Sequence, residues 1–239
     1  MFIDITSIEI FYKVILFRDF FMHKTVQNLI NIQNSIKSKI IELEYKDKIP
    51  KIIAVSKTFK INHILPLIDY GHIDYGENKV QEAIEKWSDV KDEKIKLHLV
   101  GKLQTNKVKF ALKIFDFIHS LDNLKLAKKI SEEQKKYPNK PKIFIQINIG
   151  NEHQKSGVKK EDLKDFYNEC KNLDLNIIGT MCLPPINLNP GNFFSQMNKI
   201  NLDLNLNELS MGMSNDYIEA VEHNSTYLRI GSNIFGKGT

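Results

Sequence analysis

A chain of 239 residues, 42% hydrophobic and 26% charged, has enough apolar material to bury the core of one ordinary α/β domain, which excludes a disordered or fibrous protein. Its net charge of +5 is mild, and its basic residues stand beside Glu and Asp as on solvated helix faces rather than among aromatics, so no nucleic-acid surface is expected. Two cysteines, Cys170 and Cys182, supply neither a disulfide framework nor a zinc cluster, and no apolar run reaches the roughly 18 residues of a membrane span, so a cytoplasmic protein without membrane association is expected. Of the 34 basic residues only Arg18 and Arg229 are arginine, and the chain holds five alanines; the skew reads as AT-rich encoding, and an arginine kept against it asks for a reason.

The chain opens with MFIDITSIEIFYKVILFRDFF (1–21), apolar in patches but broken by Asp4, Glu9, Lys13, Arg18 and Asp19, an order that fits neither a signal peptide nor a transit peptide. It reads as a peripheral helix or as an upstream extension of a protein starting at Met22, and the extension is the expectation taken forward. From Thr25 to Glu44, the residues Val26, Leu29, Ile30, Ile36, Ile40 and Ile41 recur at helical spacing. Eight short runs rich in Ile, Val and Phe follow: KIIAVSKT (51–58), HIDYGEN (72–78), KLHLVGKL (96–103), FDFIHSLD (115–122), KIFIQINI (142–149), NIIGTMCL (176–183), ELSMGMS (208–214) and YLRIGSNIFG (227–236). Their near-continuous apolar character predicts strands buried on both faces of a parallel sheet. Helix-period segments separate most of them, among them Ile64, Leu67 and Ile68, then Val80, Ile84 and Trp87, then Val108 and Leu112, and later Leu163, Phe166 and Tyr167. Asn78 and Asn106 stand where N-caps are expected.

Eight strands alternating with helices predict an α/β protein with a single (β/α)8 barrel of the TIM type over residues 22–239. A doubly wound open sheet is the alternative, but no GxGxxG follows the first run. The sequence ends three residues after the eighth run, so no helix is expected there, and the helix over 25–44 is predicted to take the vacant place in the outer ring. No internal repeat, linker or second domain is visible.

Chemistry in such barrels collects at the C-terminal strand ends. Lys57 follows IIAV at the first of these ends, where an apolar floor would desolvate its amine into a Schiff-base nucleophile; a lysine snorkelling to water is the other reading. Asn78, after Gly76 at the end of the second run, either caps the next helix or reaches a ligand from the rim. Ser210, Gly212 and Ser214 on the seventh run and Gly231 and Ser232 on the eighth offer close backbone approach and hydroxyl donors at the two positions where these barrels build phosphate sites; ordinary Gly/Ser turns are the alternative. Arg229 inside an apolar strand needs a partner, either a heteroaromatic nitrogen or ligand carboxylate, or a structural ion pair with a barrel carboxylate. His98 and His119 read as hydrogen-bonded core or rim groups, Cys182 as a small core residue and Lys155 as solvated. The seven histidines share no metal-ligand spacing, and no metal is expected.

Seven segments in order, AVSKT, GENKVQE, HLVGKLQTNK, QINIGNEHQKSG, GTMCLPP, LSMGMSND and YLRIGSNIFG, resemble the pyridoxal-phosphate homeostasis protein family, itself similar to the barrel domain of bacterial alanine racemase. The likeness runs from about Met22 to the C-terminus; residues 1–21 have no counterpart. It implies pyridoxal 5′-phosphate held as an internal aldimine on Lys57, its phosphate anchored by Ser210 with the backbone that follows and by Gly231 and Ser232, Asn78 beside the ring and Arg229 facing the pyridine nitrogen. Where the family commonly has Thr, Ser232 keeps the hydroxyl. An arginine leaves that nitrogen unprotonated, so the ring is a poor electron sink. The implied role is to hold the cofactor in a low-reactivity form and supply it to other enzymes, without robust catalysis. A two-base racemase takes its second acid/base from an additional β-domain of a partner subunit, and the sequence shows none after the eighth strand. A slow racemase-like enzyme with Lys57 as its only base, and an aldolase in which Lys57 attacks a sugar phosphate, are the competing readings. A monomer is expected.

Overall fold

The computed structural model describes residues 22–44, 49–138, 140–152 and 154–237, so the expectation for residues 1–21 lies outside the described residues. Eight strands close in sequence order into an all-parallel barrel, the fold class expected: β1 (Lys51–Val55), β2 (Asp74–Glu77), β3 (Lys96–Leu99), β4 (Phe117–Leu121), β5 (Lys142–Ile147), β6 (Ile177–Cys182), β7 (Glu208–Ser210) and β8 (Tyr227–Ile230), with β8 pairing back onto β1. Each is shorter than its apolar run, because the residues at the C-terminal end of the run (Ser56–Thr58, Met211–Ser214, Gly231–Gly236) leave the hydrogen-bond ladder to build the mouth.

The helices are α1 (Lys24–Glu42), α2 (Ile61–Asp69), α3 (Val80–Trp87), α4 (Val108–Ile114), α5 (Leu124–Gln134), α6 (Leu163–Asn172), α7 (Pro190–Asp203), α8 (Tyr217–Glu222) and α9 (Ser232–Phe235). α1 buries Val26, Leu29, Ile32 and Ile36 and packs between α2 on one side and α8 and α9 on the other, filling the place in the ring predicted for it. Asn28 Nδ2 donates to the Ile234 carbonyl (2.9 Å) and Lys39 pairs with Glu222 (3.0 Å), tying the first helix to the last two. Two expectations need correction. Ile41 lies 76% exposed rather than on the packed face, and a short helix does follow β8, since one turn at Ser232–Phe235 fits under α1. Among the described residues no helix is long and apolar enough to cross a membrane.

Asn78 and Asn106 are not N-caps. The residue before α3 is Lys79, and a 3-10 turn (Thr105–Lys107) precedes α4 and encloses Asn106. The capping asparagines are Asn123, accepting from Leu126 N (2.9 Å), and Asn189, accepting from Gly191 N (2.8 Å).

Strand alternation divides the core in two. Ile52, Ala54, Leu97, Leu99, Ile143, Ile145, Leu228 and Ile230 face the helices, and Ile53, Val55, Phe117, Phe144, Met181 and Tyr227 fill the barrel. Among the described residues, polar side chains that share that interior fully or nearly buried include His98, His119, Ser210 and Arg229.

Candidate functional site

At the end of β1 the Ser56 N–H holds the Gly76 carbonyl (2.9 Å), and the chain turns through Lys57 and Thr58. Thr58 takes the left-handed conformation (φ +68°), which costs a residue with a Cβ about 1–2 kcal/mol. The turn is pinned by Phe59, whose ring stacks on Phe235 of α9 at 5.1 Å. β1 and β8 thus bring their mouth loops together. Continuing the period of two from Ile53 and Val55 puts Lys57 on the interior row, at the mouth. Ile53 and Val55 form an apolar floor on that row, but Lys57 is exposed rather than buried on it, because it has passed the last ladder residue.

Behind this turn lies a buried charge that sequence reasoning missed. Glu77, fully buried on the helix-facing side of β2, accepts at Oε1 from Ser56 Oγ (2.7 Å), Lys86 Nζ (2.8 Å) and Trp87 Nε1 (3.0 Å). Lys86 also donates to the Ser56 carbonyl (2.8 Å). The network clamps the residue preceding Lys57 from two sides. An acid inside an apolar run, followed nine residues later by a lysine on the next helix, was the available signal.

The ends of β7 and β8 meet as expected. The N–H groups of Gly231 (3.3 Å) and Asn233 (3.4 Å) both converge on Ser214 Oγ, and Asn233 Nδ2 holds the Ser214 carbonyl (2.7 Å). Ser232 is exposed between them. Gly212 is required by the backbone: its φ is +88°, and a Cβ there would stand 2.6 Å from the Ala220 methyl. Its carbonyl receives the Arg229 N–H (2.9 Å).

Arg229 makes no ion pair with a barrel carboxylate among the described residues. Its Nη1 donates to Ser210 Oγ (2.6 Å) and its Nη2 to the Cys182 carbonyl (2.8 Å). Burial lowers its pKa, against the pull of Cys182 and Asp216. Ser210 corrects another expectation: its hydroxyl is fully buried, between Arg229 and His119 Nδ1 (2.9 Å), and so points away from a phosphate at the strand ends. His119 Nε2 lies 3.0 Å from His98 Nδ1, and His98 Nε2 lies 2.9 Å from Asp74 Oδ1 at the start of β2. Both histidines are core groups, as read. Burial pushes both imidazoles below the ordinary histidine range, His98 against Asp74 and His119 with the added repulsion of His98 and Arg229. Burial likewise pushes the Cys182 thiol up to about 12, which suits a packing role.

Asn78 is half-buried at the mouth, and the β3 loop sits tightly on it: a Cβ at Gly101 would stand 2.2 Å from the Asn78 carbonyl oxygen. Its side chain has no hydrogen-bond partner among the described residues, so its amide is available to a ligand. Lys155, expected to be solvated, instead pairs with Glu152 (2.6 Å) and donates to the Pro184 carbonyl (3.3 Å), joining the loops after β5 and β6.

The site therefore offers a lysine amine at the mouth, a set of anion donors at the β7 and β8 ends, and a deep guanidinium between them. The family model "Alanine racemase, N-terminal domain" matches residues 33–238. Proteins named pyridoxal phosphate homeostasis protein match across nearly their whole length. That of Pasteurella multocida is 33% identical over 88% of this chain and 96% of its own, and that of Aquifex aeolicus 35% identical over 78% and 86%. Among solved structures, PipY of Synechococcus elongatus with PLP bound superposes with a TM-score of 0.74 at 31% identity, covering 84% of this chain and all of PipY. Alanine racemase of Clostridium difficile (TM-score 0.69, 15% identity, 90% of this chain and 56% of that one) shares the fold. The chain belongs to the pyridoxal phosphate homeostasis protein family, built on the barrel of the alanine racemase N-terminal domain.

Proposed function

We propose that this protein binds pyridoxal 5′-phosphate and serves its intracellular homeostasis, holding the cofactor on Lys57 without robust catalysis. The observation that carries the reading is the pairing, on adjacent strands, of an exposed mouth lysine after β1 with an Arg229 held only by neutral acceptors on β8. The donor set fits the group. The hydroxyls of Ser214, itself held by the Gly231 and Asn233 N–H groups, and of Ser232 suit a phosphate; the planar guanidinium suits the pyridine nitrogen; and the Asn78 amide stands at the rim for the ring substituents. Gly212 shapes the turn that presents Ser214, and Ser210 holds Arg229.

When bound, the cofactor supplies an aldehyde that a primary amine captures covalently. Lys57 presents that amine, and the Glu77–Lys86–Ser56 clamp fixes the backbone from which it extends. Arg229, permanently cationic and only a donor, offers the pyridine nitrogen a hydrogen bond and no transferable proton. That favours storage over carbanion chemistry. We further propose that residues 22–239 form the functional unit with 1–21 as an extension, that the protein is a cytoplasmic monomer, and that it passes the cofactor to apoenzymes.

Mixing the purified protein with pyridoxal phosphate, reducing with borohydride and mapping the modified peptide tests the reading. The expected adduct is on Lys57 and is lost in Lys57→Ala. An adduct elsewhere, or none, overturns it. Incubating the loaded protein with D- and L-amino acids tests the non-catalytic part: Lys57-dependent racemisation would make it an enzyme.

A further inference from the structure

The barrel interior holds a continuous polar chain that leads from Arg229 down to the far end of the barrel. It runs from Arg229 on β8 through Ser210 on β7, His119 on β4 and His98 on β3 to Asp74 at the opposite end of β2, each link between 2.6 and 3.0 Å. Its two ends dictate its direction. Arg229 can only donate, and an ionised Asp74 can only accept. A neutral His98 must therefore carry its proton on Nε2, facing Asp74, which leaves Nδ1 to accept from His119 Nε2–H. That in turn leaves His119 Nδ1 to accept the one hydroxyl hydrogen of Ser210, whose oxygen accepts from Arg229. Every donor in the chain points toward Asp74, and no hydrogen is left on Ser210 for a bound anion. Each imidazole is also clamped flat on a phenyl ring, His98 on Phe117 at 4.1 Å and His119 on Phe144 at 4.3 Å, so neither ring turns over without repacking the core.

The aligned dipoles present their negative ends to the guanidinium and their positive ends to the carboxylate, stabilising both charges across the barrel. We propose that Asp74 is a positioning residue for the cofactor site: through His98, His119 and Ser210 it sets the proton arrangement that holds Arg229 toward the pyridine nitrogen. The proposal rests on the pyridoxal-phosphate reading for its consequence but not for its wiring. The charged or titratable groups around the chain are Lys51 and His72 acting on Asp74, Asp116 acting on His98, and Cys182 and then Asp216 acting on Arg229, the Asp216 Oδ1 being occupied by the Met213 N–H (2.6 Å).

Long-range proton–nitrogen correlation spectra of the ligand-free, 15N-labelled protein test the wiring directly. Both His98 and His119 are expected as neutral Nε2–H tautomers at neutral pH. An Nδ1–H tautomer or a protonated ring at either position overturns the proposal, whatever the cofactor does. Asp74→Asn removes the charge that pins the chain. It should give His98 and His119 a mixed tautomer population, weaken pyridoxal-phosphate binding at least fivefold by absorbance titration, and displace the bound cofactor's absorption maximum; Asp74→Glu should restore all three. Asp74→Asn with unaltered imidazole signals and cofactor binding also overturns it. Absence of a Lys57 adduct in the unaltered protein would instead overturn the cofactor reading, and the imidazole spectrum would still judge the wiring.

Discussion

At Arg229 a lysine would keep the charge and lose the fork. The guanidinium reaches Ser210 Oγ and the Cys182 carbonyl with two different nitrogens, and one ammonium on a flexible stem cannot reproduce that plane. Arg229→Lys is expected to weaken pyridoxal-phosphate binding about tenfold, equal to about 1.4 kcal/mol and in the range of one charge-assisted hydrogen bond. It should also displace the bound cofactor's absorption maximum, and a spectrophotometric titration reads both. An unchanged holoprotein would leave Arg229 a purely structural residue. The scarcity of arginine marked this position in the sequence, but its neutral partners were invisible there: Ser210 lies nineteen residues and Cys182 forty-seven residues away along the chain.

Between β2 and α3 the buried Glu77–Lys86 pair joins a strand, its following helix and the turn that bears Lys57. Lys86 is 11% exposed and Glu77 not at all, so Lys86→Met leaves a carboxylate stranded in the core. Losing one partner of such a pair costs about 3–5 kcal/mol. For a domain of this size that is a fall of roughly 10 °C in the unfolding midpoint, checked by calorimetry. A shift below two degrees would mean that Glu77 is solvated or protonated in the native state. The helices themselves were legible from their apolar period, whereas their starts were not. An asparagine before an apolar run is equally a cap, as at Asn123, or a rim residue, as at Asn78, and the choice falls to the loop that packs on it.

For the whole molecule, the histidines inside the barrel make stability depend on pH. Burial keeps His98 and His119 neutral in the fold, while in the unfolded chain each titrates near about 6.5. Below that pH the unfolded chain binds protons that the native state refuses, so stability falls as pH drops. Urea titrations should show a free energy of unfolding insensitive to these groups at about pH 7.5, then declining between about pH 6.5 and 5 by up to about 1.4 kcal/mol per pH unit for each histidine. A flat profile would mean that protons reach the imidazoles without unfolding. Residue order alone determined the eight strands, the barrel and the N-terminal helix that completes its ring, because each rests on local apolar periodicity and on the short parallel connections that periodicity enforces. The mouth residues were legible too, since strand ends follow from strand positions. Tertiary structure alone decided what those side chains touch: that Lys57 is exposed, that Ser210 turns inward, and that Asp74, His98, His119 and Arg229 share one chain of hydrogen bonds. Closing the sheet brings into one interior residues from five strands whose spacing along the sequence carries no common period, so only the closed barrel could bring them into contact.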